Sequence, residues 1–314
     1  MNNNLDLPLV SFVLTSYNQE KYIQEAISGA LTQTYSPLEI IISDDCSTDN
    51  TFKIIQQTIS LYRGKHIVTV NRNENNLGIG EHLNKIIEMA SGEFIICAAG
   101  DDISLPTRVD KLVNTWLNSN RRYKSIFTNA IRIDEFGVLS GSYFKSIPIY
   151  AKTLNDFIFD KRSFRIRTSQ PAVWQLGATA AFEKSLFNIY GRVDSRAIQE
   201  DGIYAFRALL QGEICYIDKS LVKYRIHSSS VSNMNNPKSL KRFIVFQCYY
   251  KLTQLNDAKL THFSNVRLVN KLKCAFWFSK SKRVLYLIPY YPSLVFYSKD
   301  IVKRALKYVL FKIN

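Results

Sequence analysis

Two adjacent aspartates stand at the end of a short apolar stretch of the chain. Asp101 and Asp102 follow residues 94–99, which are apolar enough to form a buried strand, with only Gly100 between. Two neighbouring carboxylates at a buried strand end are costly unless a cation lies beside them. A hard divalent cation that bridges to a phosphate suits such oxygen ligands. The pair therefore predicts a site for Mg²⁺ or Mn²⁺ and a phosphorylated ligand.

Two more polar clusters follow predicted strands in the same way. Thr15, Ser16 and Tyr17 stand at the end of the strand predicted over 9–15, and Asp44 and Asp45 follow residues 38–43. In open α/β sheets, ligands bind beyond the carboxyl ends of the strands. We therefore expect all three clusters to meet at one edge of one sheet.

The elements that must position these clusters alternate between strands and helices. Apolar patterns predict strands at 9–15, 38–43, 67–70 and 94–99, and helices at 20–33, 51–62, 81–90 and from Pro106 to 118. Such alternation with short connections is typical of a doubly wound, mostly parallel sheet flanked by helices, as in Rossmann-like α/β folds. Residues 8–105 would form its nucleotide-binding half.

The next part of the chain has a less regular pattern. We predict strands at 124–133, 175–182, 213–217 and 221–226, a short helix near Leu154 and a helix over 202–210. Residues 141–170 are aromatic and basic, and are expected to be mostly loop. Residues 106–235 would form an acceptor-binding half, which completes a catalytic domain over 1–235.

Charge is distributed unevenly along the 314 residues. Residues 1–237 hold 25 Lys/Arg against 24 acids, whereas residues 238–314 hold 16 against two, Asp257 and Asp300. Region 236–314 is therefore predicted to be a separate basic α-helical appendage. An anionic partner is indicated, either a membrane surface or nucleic acid.

The appendage has the chemistry of an interfacial membrane anchor. Residues 293–314 have one apolar helical face with lysines and arginines largely off it, and residues 284–297 are aromatic and contain two prolines. A solvated helical bundle or a contact between copies of the chain are alternatives. Nucleic acid is not expected, because no recognition motif accompanies the charge.

Other features narrow the class of protein. No run of about 18 apolar residues is present, and the first residues lack a signal pattern, so a cytoplasmic protein is expected. Five scattered cysteines have neither metal-ligand nor redox spacing, which predicts reduced thiols.

The motifs, taken in order, resemble those of the inverting family 2 glycosyltransferases, which have a GT-A fold. The resemblance covers about residues 8–232 and rests on these pieces: Val10–Asn18, Leu31–Thr34, Ile42–Asp49, Asn76–Gly78, Ser91–Ile95, Gly100–Asp102, Glu200–Asp201 and Tyr224–His227. Each piece alone is weakly specific, but their order and spacing together are specific.

The resemblance implies roles for residues of the nucleotide-binding half. Thr15, Tyr17 and Asp45 would contact the base or ribose of a nucleotide-sugar donor. Asp101 would bind the donor's diphosphate through the metal ion, with Asp102 beside it. One position departs from the usual Asp-x-Asp-Asp motif, since Ala99 stands where its first acid is expected. Asp101 would then hold the metal with less help than usual.

It also implies roles across the cleft. Asp201 would be the catalytic base, although Glu200 and Asp201 could equally favour a helix N-terminus. His227 would reach the metal or the diphosphate. Glu200 is a candidate for acceptor binding, and Trp174 could stack on an acceptor sugar or be a packed core residue.

The resulting prediction is a metal-dependent inverting glycosyltransferase at the inner face of the cytoplasmic membrane. It would move one sugar from a UDP-sugar to a saccharide acceptor linked to polyprenyl diphosphate, in bacterial capsule or lipopolysaccharide O-antigen synthesis, with residues 238–314 on anionic lipid. A homo-oligomer is possible. The alternatives are a non-catalytic membrane-associated scaffold of the same fold, or another α/β enzyme such as a methyltransferase or dehydrogenase.

Overall fold

The computed structural model describes residues 7–148, 150–159, 175–196, 200–228 and 237–287. In this part of the chain one sheet has the strand order β3-β2-β1-β4-β8-β6-β9-β5, and β7 pairs with β6. The strands are β1 Val10–Ser16, β2 Leu38–Asp44, β3 Ile67–Arg72, β4 Phe94–Ala99, β5 Ile103–Ser104, β6 Tyr123–Ile133, β7 Leu139–Ser142, β8 Ala181–Glu183 and β9 Glu213–Arg225.

Helices cover the sheet and extend beyond it. They are α1 Ile23–Leu31, α2 Thr51–Ser60, α3 Ile79–Met89, α4 Arg108–Asn118, α5 Leu154–Phe159, α6 Ser185–Tyr190, α7 Glu200–Gln211, α8 Pro237–His262 and α9 Val266–Leu287. The predicted mixed α/β architecture with a helical C-terminal part is confirmed.

The first four long strands form the parallel half of the sheet. β1 pairs in parallel with β2 and with β4, and β2 pairs in parallel with β3. Successive side chains of β1 enter different cores: Phe12 and Leu14 pack with α1 and α4, whereas Val13 packs with α3. A strand buried on both faces needs a continuous apolar run, which is why this region was predictable. Its carboxyl ends all reach one edge.

The second half mixes directions, and here two predicted elements were wrong. β9 is one strand, because register shifts near Thr128 and Asn129 let residues 218–219 bulge while pairing with β6 continues. Most of 175–182 is not strand: Gly177–Thr179 is a turn of 3-10 helix, and only Ala181–Glu183 pairs, with β4 and β6. The turn forms because Thr179 hydrogen-bonds back to the chain at Leu176 and Thr128.

Helices α8 and α9 share the main core. Tyr250, Leu255 and Ala258 of α8 pack in the same apolar cluster as α7, together with Leu268 and Leu272 of α9. A buried ion pair joins α7 to α8, with Arg207 Nε 2.9 Å from Asp257 Oδ2. The part of the basic region that the structure describes is therefore packed on the protein. The boundary at 235/236 stays a prediction.

Across the ranges given above, none of the helices combines the length and the apolar character that crossing a bilayer requires. The predicted amphipathic segment 293–314 and the aromatic segment 288–297 lie outside the described residues.

Candidate active site

The Asp101–Asp102 turn follows β4 and meets the end of β9. Asp101 Oδ2 lies 3.0 Å from Nε2 of His227, whose side chain is only 7% exposed. The His227 ring also contacts the ring of Tyr22 at 5.0 Å between centroids. The structure thus brings together two residues that are 126 positions apart and were both predicted for the metal site.

Arg225 holds this turn in place. Its side chain is 2% exposed; its backbone N–H donates to Asp102 Oδ1 at 2.8 Å and its Nε to the Asp101 carbonyl at 3.0 Å. The same guanidinium donates to Glu25 of α1 at 2.8 Å and stacks over Tyr22. Arg225 therefore ties the turn to β9 and to α1 at once.

Asp102 points into the protein rather than outward. It is 5% exposed, and burial together with the neighbouring charge of Asp101 holds its pKa well above the usual range. The backbone N–H of Arg225 and the charge of Arg108 act in the opposite direction. Asp102 thus makes a structural hydrogen bond to β9, and its predicted metal role stays a prediction.

Arg108 makes hydrogen bonds to the chain on both sides of the Asp101–Asp102 turn. Fully buried in α4, it donates to Ser104 Oγ at 2.8 Å and to the Cys97 carbonyl at 2.7 Å. Its burial lowers the pKa of the guanidinium to about 10, while Asp102 raises it. Since Arg remains charged at neutral pH, Arg108 offsets the buried carboxylate of Asp102.

Asp45 organises a loop at the end of β2. Its carboxylate accepts hydrogen bonds from Asn73 Nδ2 at 2.8 Å and from the backbone N–H groups of Leu77 and Gly78 at 2.9 Å each. Three of about four acceptor positions of the carboxylate are therefore used inside the protein. Gly78 adopts a φ of 77°, which favours glycine and turns the chain into α3.

The other residues predicted for the donor lie at the same edge. Thr15, in β1, is opposite Ser43 of β2 and Ala99 of β4 in the sheet register. Tyr17 follows β1 and is 45% exposed, so its ring is available to a ligand. Asp44, by contrast, accepts from the backbone N–H of Ser47 at 2.9 Å, which is a turn role.

Asp201 lies in the first turn of α7. Its Oδ1 accepts the Gly202 N–H at 2.7 Å, and its backbone carbonyl accepts a bond from Gln175 Nε2 at 2.8 Å. Burial raises the pKa of Asp201 to about 6, although the backbone N–H groups of Gly202 and Gly177 lower it. A carboxyl group with a pKa near 6 is suited to accept a proton at neutral pH.

Gly177 lets Asp201 approach the sheet. A Cβ at this position would lie 3.1 Å from Cβ and 3.2 Å from Oδ2 of Asp201. The close approach explains why the 3-10 turn carries glycine here. The position of the carboxylate therefore depends on this turn as well as on α7.

Asp201 lies beside β4, the strand that leads into the Asp101–Asp102 turn, and the space between Asp201 and this turn is called the cleft below. Asp201 packs against Gly177 of the 3-10 turn, and this turn adjoins β4, because the Cys97 N–H donates to the Ala180 carbonyl at 3.0 Å. Burial raises the pKa of Tyr143, and the charges of Asp201 and Asp102 raise it further. Burial raises the pKa of Cys97, in β4, to about 12, and Glu200 and Asp201 contribute. The first turn of α7 thus faces the end of β4.

Three aromatic side chains pack together beside the 3-10 turn, on an apolar cluster of Ala130, Leu176 and Val222. The ring of Tyr143 contacts those of Phe144 and Tyr224 edge to face, at 4.9 and 5.1 Å between centroids. Flat apolar rings beside polar groups suit the faces of a sugar. Tyr143 and Phe144 were missed from the sequence, because residues 141–170 show no regular periodicity.

The predicted metal site would have fewer protein ligands than a closed metal centre. Within the part of the chain that the structure describes, no three His, Cys, Asp or Glu side chains form a metal-binding group. Asp101 Oδ2 and His227 Nε2, 3.0 Å apart, provide an oxygen and a nitrogen that suit Mn²⁺ or Mg²⁺ when other ligands are phosphate oxygens and water. The donor set fits a cation that arrives with a phosphorylated substrate.

Glu200 and Trp174 were both predicted to bind the acceptor. Glu200 begins α7 beside Asp201, so its predicted place near the cleft agrees with the structure, while its role stays a prediction. Trp174 lies outside the described residues. Arg225, Arg108 and Gln175 were not predicted, since each acts through buried contacts between distant segments.

Known sequences similar to this chain are glycosyltransferases. The putative glycosyltransferase EpsE of Bacillus subtilis (strain 168) is 34% identical over 141 residues, which is 45% of the chain and 50% of that protein. The chondroitin synthase of Escherichia coli is 26% identical over 260 residues, 81% of the chain and 36% of that protein. The chain thus spans half or less of the length of these two relatives.

Solved structures share the fold. Staphylococcus aureus TarS residues 1–349 in complex with UDP superimposes with a TM-score of 0.54 at 16% identity, covering 94% of this chain and 89% of that one. The mannosyltransferase PcManGT of Pyrobaculum calidifontis, in complex with GDP-Man and Mn²⁺, gives 0.53 at 16% identity, covering 97% and 88%. The predicted GT-A fold is confirmed.

A family model also matches the first half of the chain. The sequence model of "Glycosyl transferase family 2" matches residues 11–168, which include β1 to α5 and the Asp101–Asp102 turn, and this is half of the 314 residues. Of the candidate site residues, Thr15, Tyr17, Asp45, Asp101 and Asp102 lie within this match, whereas Asp201 and His227 follow it. The chain belongs to glycosyl transferase family 2.

Proposed function

We propose that the protein transfers one sugar from a nucleotide-sugar donor to a saccharide acceptor with inversion at the anomeric carbon. The observation that carries the proposal is the placement of two carboxylates beside β4: Asp101, paired with His227, follows this strand, and Asp201 packs against the 3-10 turn that adjoins it. Carboxylates in different surroundings commonly divide binding and acid–base roles.

Asp101 and His227 would hold the divalent cation, Mg²⁺ or Mn²⁺. When bound, this cation supplies positive charge that stabilises the nucleoside diphosphate as it leaves. Arg225 fixes Asp101 through its backbone and so orients the carboxylate before the donor arrives. A solved relative of the same fold binds GDP-Man with Mn²⁺, which supports metal use in this fold.

The donor would lie across the carboxyl ends of β1, β2 and β4. Tyr17 is exposed at this edge, Thr15 lies between β2 and β4, and Asp45 holds the loop at 73–78 that borders it. We favour a UDP-sugar, because a structure of this fold has been solved with UDP. Asp45 would then act through its remaining acceptor position and through the loop that it orders.

Asp201 would accept the proton of the attacking acceptor hydroxyl. Its carboxylate faces the cleft at the start of α7, with Gly177 allowing the close approach. A single base with no covalent nucleophile leads to inversion, because the hydroxyl attacks the face opposite the leaving diphosphate. Glu200 and the aromatic side chains at 143, 144 and 224 would position the acceptor.

The acceptor is proposed to be a growing saccharide on polyprenyl diphosphate, in capsule or O-antigen synthesis. One relative, chondroitin synthase, is a polysaccharide-forming enzyme by its name. The strong positive charge of residues 238–314 favours work at the anionic inner surface of the cytoplasmic membrane.

A thermal-shift panel tests the donor site. UDP and GDP, each with and without Mn²⁺, would be compared with S-adenosylmethionine and NAD. The proposal predicts that a nucleoside diphosphate raises the melting temperature, more with Mn²⁺ than without, since only the folded state binds it. A rise with S-adenosylmethionine or NAD, and none with a nucleotide, would favour a methyltransferase or dehydrogenase instead.

A further inference from the structure

The turn between α8 and α9 exposes a group of large apolar side chains. Leu260, Phe263 and Val266 are 64%, 73% and 66% exposed. Ile189 of α6, 41% exposed, belongs to the same side of the molecule, because its neighbour Tyr190 contacts Thr261 through their hydroxyls at 3.1 Å. Exposed apolar groups of this kind commonly mark a contact surface.

The turn is built to hold these side chains outward. The Asn265 N–H donates to the His262 carbonyl at 3.0 Å, and the Leu268 N–H donates to Asn265 Oδ1 at 3.0 Å. Immediately behind it, Leu268 and Val269 are buried in the main core. Because the core is already filled from this side, the three exposed side chains do not have a place inside the protein.

The exposed cations at the turn indicate an anionic partner. Lys259 and Arg267 are exposed at its two ends, and residues 258–270 contain no Asp or Glu. A second copy of the same turn would meet like charge and be repelled. Apolar side chains bordered by cations have the chemistry of a surface that enters the headgroup region of an anionic bilayer.

We propose that residues 259–267, here called the basic apolar turn, insert into the interface of an anionic phospholipid bilayer. Leu260, Phe263 and Val266 would enter the acyl boundary, while Lys259 stays among the phosphates. This contact is distinct from the predicted anchor at 293–314. It deepens the proposed function, because it would bring the α7–α8 side of the cleft towards a lipid-linked acceptor.

Vesicle partition of the full chain tests the turn. The variant Leu260→Ser/Phe263→Ser/Val266→Ser would be compared with wild type on vesicles of phosphatidylcholine mixed with phosphatidylglycerol and on pure phosphatidylcholine. We expect the triple variant to partition roughly tenfold or more weakly onto the anionic vesicles, since three side chains lose their apolar transfer. The matched control is Leu61→Ser, which removes another exposed leucine, at the end of α2 (78% exposed), and should partition like wild type.

A contact measurement separates the turn from other basic segments. Phe263→Trp and Leu61→Trp would each be mixed with anionic vesicles containing brominated acyl chains. Wild type, with its three native tryptophans, gives the background quenching. Quenching above this background is expected for Phe263→Trp and not for Leu61→Trp, whatever holds the rest of the protein at the surface. Unchanged partition of the triple variant, or equal quenching at 263 and 61, would overturn the proposal.

Two further outcomes are informative about the alternatives. If the triple variant loses a dimer in the absence of lipid while its vesicle partition stays unchanged, the turn binds a second copy and the lipid proposal is wrong. Thermal shift with UDP and Mn²⁺ on the same samples tests the proposed function separately. If wild type shows no such shift while its vesicle partition still depends on the turn, the proposed transferase site is wrong and the membrane contact is supported.

Discussion

At the scale of single residues, Asp101 and Asp201 have different surroundings. The carboxylate of Asp101 is paired with the imidazole of His227. Burial raises the pKa of Asp201 to about 6, and the hydrogen bonds described for its carboxylate come from backbone N–H groups. Different surroundings thus favour different roles for two residues of the same type. Each role has its own experimental signature.

The rate of transfer should depend on the protonation of Asp201. Only its carboxylate accepts a proton, so kcat should fall about tenfold per pH unit below the pKa of about 6 and be flat above it. The check is kcat between pH 5 and pH 8, a range of about three units chosen around that pKa, with donor and Mn²⁺ saturating. A kcat that is unchanged through this range would contradict Asp201 as the base.

The raised pKa of Asp201 should lower the stability of the folded protein at neutral and higher pH. Because folding raises its pKa from 3.8 to about 6, Asp201 favours folding most at low pH and loses this contribution as the pH rises through 6. The shift corresponds to at most about 3 kcal/mol. Asp201→Asn, which keeps an oxygen for Gly202, should therefore raise the free energy of unfolding at pH 8 and have little effect near pH 3.

Urea denaturation at both pH values measures this difference. Asp218→Asn is the matched control, since Asp218 is exposed on the bulge of β9. Greater stabilisation by Asp201→Asn at the lower pH than at the higher would show that the sign is wrong.

Arg225 should act as a positioning residue. Arg225→Lys keeps a charge but loses the planar group that reaches Asp101, Glu25 and the turn carbonyls at 134 and 135. Partners that orient a metal-binding residue typically contribute 10–100-fold, so we expect Mn²⁺ to support activity roughly 10–100-fold less well. The Mn²⁺ concentration for half-maximal activity is the readout that a purely structural defect would not shift selectively; Arg121→Lys, on the surface, is the control.

At the scale of elements, α7 joins the cleft to the C-terminal helices. Its first turn carries Asp201, and one turn and a half later Arg207 is paired with Asp257 of α8, both nearly buried. Tyr250 of α8 packs against Gly202, where an added Cβ would lie 2.8 Å from its hydroxyl. The position of Asp201 therefore depends on α8.

Breaking the α7–α8 ion pair should be costly. Asp257→Ala leaves Arg207 buried without its carboxylate, and we expect a loss of about 3–5 kcal/mol in the free energy of unfolding. Glu93→Ala, which breaks the exposed pair with Arg121, should cost only about 0–1 kcal/mol. Chemical denaturation of both variants checks the contrast, and equal effects would mean that α8 is not held by this pair.

The parallel half of the fold was predictable because local pattern and long-range burial agree there. β4 matches its predicted bounds, since residues 94–99 are apolar and packed on both faces. The acids at strand ends could be placed at one edge because parallel strands all end there. Nothing in local pattern indicates that Arg225 reaches Asp101 or that Gly177 lies against Asp201, since both contacts join distant segments.

The errors in the second half have physical causes as well. Asp218 and Lys219 look like a turn between two strands, but a bulge absorbs them and the ladder with β6 continues. Residues 175–182 are small and apolar like a strand, yet hydrogen bonds of Gln175 and Thr179 favour a 3-10 turn. Tertiary contacts therefore outweigh local propensity at the positions nearest Asp201.

At the scale of the whole molecule, the proposed donor site and the excess positive charge lie in different parts of the chain. The parallel edge holds the residues proposed to bind the donor, whereas the excess positive charge belongs to residues 238–314. Helices α8 and α9 connect the two, because they pack on α7 and present the basic apolar turn at their junction. This arrangement suits an enzyme that receives a donor from water and an acceptor from a membrane.

The most direct test of the account compares two matched variants of the whole protein. Asp201→Asn and Asp101→Asn would each be titrated with UDP in the presence of Mn²⁺ by calorimetry, and their transfer rates measured with the donor sugar that the panel identifies. We predict that Asp201→Asn binds UDP like wild type and loses transfer by on the order of 10²–10⁴-fold, whereas Asp101→Asn loses Mn²⁺-dependent binding. Wild-type transfer by Asp201→Asn, or unchanged binding by Asp101→Asn, would contradict the assignment of base and metal ligand.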